Sequence, residues 1–209
     1  MDECIQYFSD EIPAQTERFK SPYHKIVDEE KAKQITSEWR TNGLRMVAVE
    51  VVLDIPHYRH SDYLLKSANY GDKLLVRLSS DELIKRAKDP EGTVIEWDER
   101  AKHAAHYPYV DLIMPKRENG WGWANDYRPD IIVSSTTSPI FYIRQLIEES
   151  SMLLTLGVKL VALDEFAKEI PFERLLEECV LYNTNKLDKD KFSGSIIKER
   201  ILQRANKHN

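Results

Sequence analysis

Two histidines three residues apart, His57 and His60, are the side chains of this sequence whose type and spacing best suit chemistry. They follow the apolar run MVAVEVVL, which begins at Met46, and they precede an amphipathic segment. This order predicts a strand, a tight loop and the first turn of a helix. A helix N-terminus presents unpaired N–H groups and the positive end of the helix dipole, which together bind phosphate. The pattern therefore points to phosphoryl chemistry, with both imidazoles donating to one set of phosphoryl oxygens.

The residues around the histidines carry a family resemblance. The stretch EVVLDIPHYRH, residues 50–60, resembles the N-G-C-F-D-x-x-H-x-G-H signature of the cytidylyltransferase-like nucleotidyltransferases. Within that family the resemblance is strongest to the nucleotidyltransferase domain of ADP-heptose synthase and to glycerol-3-phosphate cytidylyltransferase. Asp54 and both histidines match, whereas Val51 and Arg59 stand where the family has glycines. Histidines at this spacing are also found as ordinary solvent-facing or core residues, so the interpretation depends on the further matches.

Two of those matches concern charged residues on predicted helices. Residues 68–88 are similar to the family pattern A-x-x-x-G-D-x-L-x-V-x-x-x-S-D-x-x-x-K-R-x-K, which implies that Lys88 contacts the triphosphate. A solvated helix lysine is the ordinary alternative. Residues 99–111 are similar to the D-R-A and V-D motifs, which implies that Arg100 faces the substrate phosphate with its fork of donors. A surface position on the helix is an equally good interpretation of Arg100.

The last match lies near the end of the chain. Residues 191–198, KFSGSIIK, resemble the family's Ser-Thr-Thr motif at a helix N-terminus, and the resemblance implies that Ser193 and Ser195 hold the nucleotide. An ordinary serine N-cap is the alternative. A literal SSTT occurs at 134–137, but it follows the fourth predicted strand, where the family has Gly-Gly-Asp. The resemblance covers roughly residues 25–138, with a weaker match at 190–201.

The elements that must position these residues alternate along the chain. Strands are predicted at 46–53, 73–79, 110–114, 130–133 and 158–163, and helices at 25–41, 60–70, 81–89, 98–107, 138–150, 172–182 and 195–207. This alternation predicts an α/β fold with a Rossmann-like, doubly wound, parallel five-stranded sheet. Residues 1–43 would form an N-terminal arm and helix, 44–165 the core, and 166–209 C-terminal helices completing the same domain. Ligands of such sheets bind at the carboxyl ends of the strands, where the histidine loop falls.

Composition limits the classes of partner. The chain has 209 residues, of which 42% are hydrophobic and 31% charged, with a formal net charge of −5. It shows no electrostatic footprint for nucleic acid and no apolar run near the ~18 residues that span a bilayer. The N-terminus MDECIQYFSDE is unlike a signal peptide. The two cysteines, Cys4 and Cys179, are far apart and indicate reduced thiols. We expect a cytoplasmic protein without nucleic-acid or membrane partners.

The resemblance implies an enzyme that joins a nucleoside monophosphate from ATP or CTP to a phosphorylated small molecule and releases pyrophosphate. His57, His60 and Lys88 would be catalytic, with Mg²⁺ bridging the triphosphate. Asp54 would position the loop or help to hold the metal. The cation of Arg59 would either block the nucleotide or replace a missing phosphate contact. No set of metal-ligating residues is predicted, and a homodimer is carried over as analogy.

Two alternatives stay open at this stage. Val51, Arg59 and the lost Gly-Gly-Asp motif are equally consistent with a catalytically impaired relative that binds another ligand or a protein. A class I aminoacyl-tRNA synthetase fragment is suggested by KFSGS, which resembles K-M-S-K-S. The length and the charge of the chain place this interpretation last.

Two further features have more than one interpretation. His103 and His106 share a helical face at a metal-compatible spacing without a third ligand nearby, so a structural or solvent-facing role is expected. Trp121 and Trp123 lie between glycines, where they would either cover a ligand or pack a long loop.

Overall fold

The computed structural model describes residues 21–87, 92–184 and 203, and strands alternate with helices along them. The strands are β1 Met46–Val51, β2 Lys73–Ser79, β3 Leu112–Lys116, β4 Ile131–Ser135, β5 Lys159–Leu163 and β6 Glu169–Ile170. The α-helices are α1 Glu29–Thr41, α2 Tyr58–Ala68, α3 Asp81–Ala87, α4 Trp97–Ala105, α5 Ala124–Tyr127, α6 Ile140–Glu148, α7 Ser150–Thr155 and α8 Leu175–Thr184. Short 3₁₀ helices span Pro22–Lys25 and Phe172–Arg174.

The strands form one six-stranded sheet in the order β3-β2-β1-β4-β5-β6. Strands β1 to β5 are parallel, and β6 pairs antiparallel with β5. The predicted doubly wound parallel sheet is confirmed. The sixth strand was not predicted, because its two residues are too few to show an alternating pattern. The strand order reverses between β1 and β4, and this switch point opens a crevice at the carboxyl edge of the sheet.

The side chains of β1 alternate between two hydrophobic cores. Met46 and Ala48 belong to the core covered by α1, α5, α6, α7 and α8, on the side called here the α6 face. Val47 and Val49 belong to the core covered by α2 and α4, on the α2 face. Residues two apart on a strand share a face, so the next residue on the α6 face is the charged Glu50.

The ends of the helices follow local chemistry in some places and tertiary contacts in others. The Asp28 carboxylate accepts the Lys31 N–H at 2.7 Å and caps α1, and Gly43 follows that helix with φ +70°. The single helix predicted for 138–150 is wrong. Its interruption at Glu149 separates α6 from α7, and the carboxylate of Glu149 accepts the N–H of Trp121 at 2.9 Å.

Two further predictions concern the ends of the chain. The final helix predicted for 195–207 lies outside the described residues apart from Gln203, which is helical. The division into residues 1–43, 44–165 and 166–209 stays a prediction, although Ala32 of α1 is buried in the core of the α6 face. None of the helices in the described ranges combines the length and the apolar character needed to cross a membrane.

Candidate functional site

The loop between β1 and α2 is held by a carboxylate and contains a strained residue. Leu53 is buried and has a left-handed backbone, with φ 54°. Such a conformation persists only where the surrounding structure enforces it. The carboxylate of Asp54 accepts the N–H of Val94 at 2.7 Å and that of Ile95 at 3.0 Å. Asp54 thus ties the loop to the segment before α4, which is the loop-positioning role, the first of the two predicted for it.

The two histidines are neighbours at the start of α2. His57 is the N-cap residue, and its backbone N–H donates to Nδ1 of His60 at 3.3 Å. The ring centroids lie 4.0 Å apart at an interplanar angle of 36°. Because Nδ1 of His60 is an acceptor, the neutral ring carries its proton on Nε2. The structure therefore brings both imidazoles to one helix N-terminus, beside N–H groups suited to phosphate.

The charge of His57 depends on its surroundings. Burial first, and then the positive charge of Arg59, lower the pKa of His57 below its ordinary value of 6.5. The ring is therefore mostly uncharged at neutral pH. Its Nδ1 atom is buried without a hydrogen-bond partner among the described residues. A bound anion would raise the pKa of His57, because a nearby negative charge favours the protonated form of an imidazole.

Arg59 reaches across to the turn between β5 and β6. Its Nη1 donates to the carbonyl oxygen of Glu165 at 3.4 Å, and its guanidinium carbon lies 4.8 Å from the centroid of the Phe166 ring. Its Nε donates to the hydroxyl of Tyr58 at 3.2 Å. The cation is thus anchored on a neighbouring loop. Whether it contacts a nucleotide stays a prediction.

Two hydroxyls at the carboxyl end of β4 are additional candidates. Ser134 Oγ and Thr136 Oγ1 are buried, and neither has a hydrogen-bond partner in the part of the chain that the structure describes. Strand β4 is the neighbour of β1, from which the histidine loop emerges. Chain order favours Ser193 over the literal SSTT motif, and the burial of these unpartnered hydroxyls is what marks residues 134–137 as a candidate.

Arg100 does not lie on the surface of a helix, so that alternative is wrong, whereas its contact with the substrate phosphate stays a prediction. Its side chain is fully buried. The guanidinium donates to the carbonyl oxygens of Ile95, Val52 and Ser79 and forms an ion pair with Asp81 at 2.5 Å. Its donors thus join the ends of β1 and β2 to the start of α3. This arrangement favours a structural role, because a guanidinium so fully engaged has little left to offer a phosphate.

Three predicted site residues, Lys88, Ser193 and Ser195, lie outside the described residues, so their roles stay predictions. Within the described ranges, no group of three or more His, Cys, Asp or Glu side chains is arranged to hold a metal ion. Oδ1 of Asp54 accepts two backbone N–H groups, and the Mg²⁺ that the resemblance implies stays a prediction.

A buried charged cluster on the α6 face of the same sheet edge was not predicted. The carboxylate of Glu50 on β1 forms ion pairs with Arg77 on β2 and Lys116 on β3. All three side chains are at most 4% exposed. The available signal was charge at inward positions of neighbouring strands. Without the strand order, nothing in the sequence shows that these charges meet.

The remaining alternatives concern two tryptophans and two histidines. Trp121 and Trp123 are both buried in the core of the α6 face, and Trp123 also lines a pocket. His103 contacts the hydroxyl of Tyr107 at 3.0 Å, and Nδ1 of His106 contacts the carbonyl oxygen of Lys102 at 2.8 Å. These contacts are local to α4 and the residues just after it, in agreement with the structural role expected for this histidine pair.

Comparisons with known proteins agree with the motifs. Residues 52–200 match the model of the family described as cytidylyltransferase-like. The bifunctional protein HldE of Azorhizobium caulinodans is 31% identical over 94 residues, which are 45% of this chain and 20% of HldE. HldE of Caulobacter vibrioides is 28% identical over 138 residues, which are 66% of this chain and 28% of HldE. The matched part of the chain thus spans 20% to 28% of the length of these relatives.

A solved structure supports the fold. The lipopolysaccharide core biosynthesis protein of Thermoplasma volcanium superposes with a TM-score of 0.50 at 21% identity, covering 62% of this chain and all of that protein. At this identity the likeness concerns the fold alone.

Proposed function

The chain belongs to the cytidylyltransferase-like family, and from that premise we propose that it is a nucleotidyltransferase. It joins a nucleoside monophosphate from ATP or CTP to a phosphorylated small molecule, a sugar phosphate or similar compound, and releases pyrophosphate. One observation carries the proposal: the rings of His57 and His60 lie 4.0 Å apart at the N-terminus of α2, beside the switch point of the sheet.

The chemistry assigned to these groups is charge stabilisation. An oxygen of the acceptor phosphate attacks the α-phosphorus of the triphosphate, and a new P–O bond forms. The bond from the α-phosphorus to the bridging oxygen breaks, and pyrophosphate leaves with the electron pair. Negative charge on the non-bridging oxygens is met by the N–H groups of the two imidazoles and of the first turn of α2. The loop between β1 and α2, which Asp54 holds in place, aligns the reacting groups.

The remaining parts of the proposal come from the sequence. Lys88 neutralises the triphosphate, and Ser193 and Ser195 hold it. Mg²⁺ belongs to the substrate complex, in which it neutralises part of the triphosphate charge. The cytoplasmic location and the homodimer are expectations of the same kind.

The direct test is a screen for pyrophosphate release. ATP, CTP, GTP and UTP are each combined with Mg²⁺ and with a panel of phosphorylated sugars and alcohols. We expect one combination to turn over, and we expect His57→Ala and His60→Ala to suppress it. His106→Ala is the matched control, because that histidine is exposed and follows the end of α4, away from the histidine loop. Wild-type turnover in both test variants would refute the assignment of the histidines.

A second function is favoured by the residues at the glycine positions. Val51 and Arg59 occupy places where the family has glycine, and Arg59 is anchored on the turn that contains Glu165. A chain that retained the fold but lost turnover would bind a ligand or a protein instead. Calorimetry with ATP or CTP and Mg²⁺ separates the two functions. Binding without pyrophosphate release supports the impaired relative, and absence of binding rejects the enzyme.

A further inference from the structure

We propose that a pocket beside Arg77 and Trp123, here called the Trp123 pocket, binds an oxyanion of a small molecule. The pocket has a volume of about 450 Å³ and lies on the α6 face where β2 and β3 end. Its lining includes Arg77, Met114 and Trp123, and exposed charged residues surround its mouth. The inference rests on observations separate from the histidine loop and does not require the proposed function.

Two buried donors at this pocket have no partner. Neither Nε of Arg77 nor Nε1 of Trp123 forms a hydrogen bond within the described residues, although the two residues are only 3% and 7% exposed. They are neighbours, since the guanidinium carbon lies 4.3 Å from the centroid of the Trp123 ring. Buried polar atoms are almost always paired, and leaving one unpaired costs about 1–3 kcal/mol. Because Arg77 and Trp123 both line this pocket, a ligand held there would bring acceptor oxygens beside the two donors.

The charge balance specifies an anion. Glu50 is the one carboxylate paired with both Arg77 and Lys116, so these three buried side chains carry one negative and two positive charges. The phenol groups of the nearby tyrosines are uncharged, so they do not neutralise this excess positive charge. Burial raises the pKa of Tyr142 well above its ordinary value and is the main cause that raises the pKa of Tyr127 to about 12. Since buried charges are normally matched, the cluster has room for one more negative charge.

The charges at the mouth of the pocket are exposed to solvent rather than buried. Arg117 lies 3.5 Å from Glu29, and Lys33 lies 2.8 Å from Asp126, so four of the surface charges pair with each other. Glu118 adds one more exposed carboxylate. These side chains are in solvent, where salt screens them, whereas the buried excess of positive charge is not screened. Two adjacent N–H donors beside a cation suit the oxygens of a carboxylate or a phosphate.

Direct binding tests the proposal. The double variant His57→Ala/His60→Ala serves as background, so that an anion at the histidine loop does not contribute. Inorganic phosphate and acetate are titrated at constant ionic strength set with chloride, and binding is followed by calorimetry and tryptophan fluorescence. We expect saturable binding of at least one anion. Trp123→Phe, which keeps the ring and removes the N–H, should weaken it about tenfold, and Arg77→Lys should weaken it similarly.

Trp121→Phe is the matched control, because Trp121 is a buried neighbour that does not line the pocket. It should bind the anion as the background protein does. Thermal unfolding of each variant shows whether it is folded. No saturable binding of either anion, or equal affinity in Trp123→Phe, Arg77→Lys and the background protein, would overturn the proposal.

The anion has two conceivable sources, an acidic group of the acceptor substrate or a separate effector. If it belongs to the acceptor, Trp123→Phe in the otherwise native chain raises the KM for the acceptor and leaves the KM for the triphosphate unchanged. If it is an effector, both KM values stay the same while the response of the rate to added anion is lost. Absence of pyrophosphate release with every substrate would refute the proposed function alone, because the binding test stands without turnover.

Discussion

The histidine loop and the buried cluster of Glu50, Arg77 and Lys116 lie at the same edge of one sheet, but only the cluster contains buried ion pairs. In the loop, two half-buried imidazole rings lie at a helix N-terminus, burial lowers the pKa of His57, and backbone N–H groups present the positive end of the helix dipole. In the cluster, full charges are buried and paired. The comparison predicts that removing an imidazole of the loop lowers turnover with little effect on stability, whereas removing the shared carboxylate of Glu50 destabilises the fold.

The largest effect on stability is expected from Glu50→Gln. Removing the shared carboxylate leaves two buried cations without an ion-pair partner, so the free energy of unfolding should fall by about 3–5 kcal/mol. Urea unfolding measures this change. Glu29→Gln is the control, because its carboxylate pairs with Arg117 at the surface and should contribute at most about 1 kcal/mol. Equal losses of unfolding free energy in the two variants would contradict the larger contribution expected from the buried carboxylate.

His57→Ala should have a large effect on turnover and a small effect on stability. If the imidazole stabilises charge in the transition state, kcat should fall about 10²–10³-fold. The free energy of unfolding should change by less than about 1 kcal/mol, because the side chain is half-buried and its Nδ1 has no partner to lose. Steady-state pyrophosphate release and urea unfolding measure the two quantities. A large loss of stability with unchanged kcat would show that this residue belongs to the fold.

Arg100→Lys tests whether a paired buried cation on the α2 face behaves like the cluster. Lysine keeps the charge but cannot reach all of the carbonyl oxygens that the guanidinium joins, so we expect a loss of about 2–3 kcal/mol in unfolding free energy. The KM for the acceptor should stay unchanged in the folded fraction. A raised KM for the acceptor together with wild-type stability would support the predicted contact of Arg100 with the substrate phosphate.

The smallest effect concerns pH. The pKa of His57 is lower in the folded protein than its ordinary value of 6.5, so the unfolded chain binds more protons between these two values. Its contribution to stability is therefore complete above about pH 6.5 and declines as the pH falls toward the folded pKa. Thermal unfolding at pH 7.5 and 5.5 should show a smaller acid-induced decrease in Tm for His57→Gln than for the wild type. His103→Gln tests the second histidine with a lowered pKa.

Much of the fold was predictable because its signals are local. The apolar runs that became β1 to β5, the cap at Asp28 and the stop after Asn42 depend on neighbouring residues, and each appears in the structure. The break at Glu149 could not be predicted, because its carboxylate pairs with the distant Trp121. The strand β6 could not be predicted either, because two residues are too few to show an alternating pattern. The pairing of the two histidines followed from helical spacing, which places residues three apart on one turn.

The amino-acid sequence by itself determined the alternation of strands and helices, the family and the meeting of His57 with His60, because periodicity and short spacings act within a few residues. Only the tertiary structure decided that Arg100 is buried against three carbonyl oxygens and that Glu50 is shared by Arg77 and Lys116. These contacts join residues 5 to 66 positions apart. Strand order and register bring most of these partners together, and the pattern of neighbouring residues in the sequence does not indicate strand order or register.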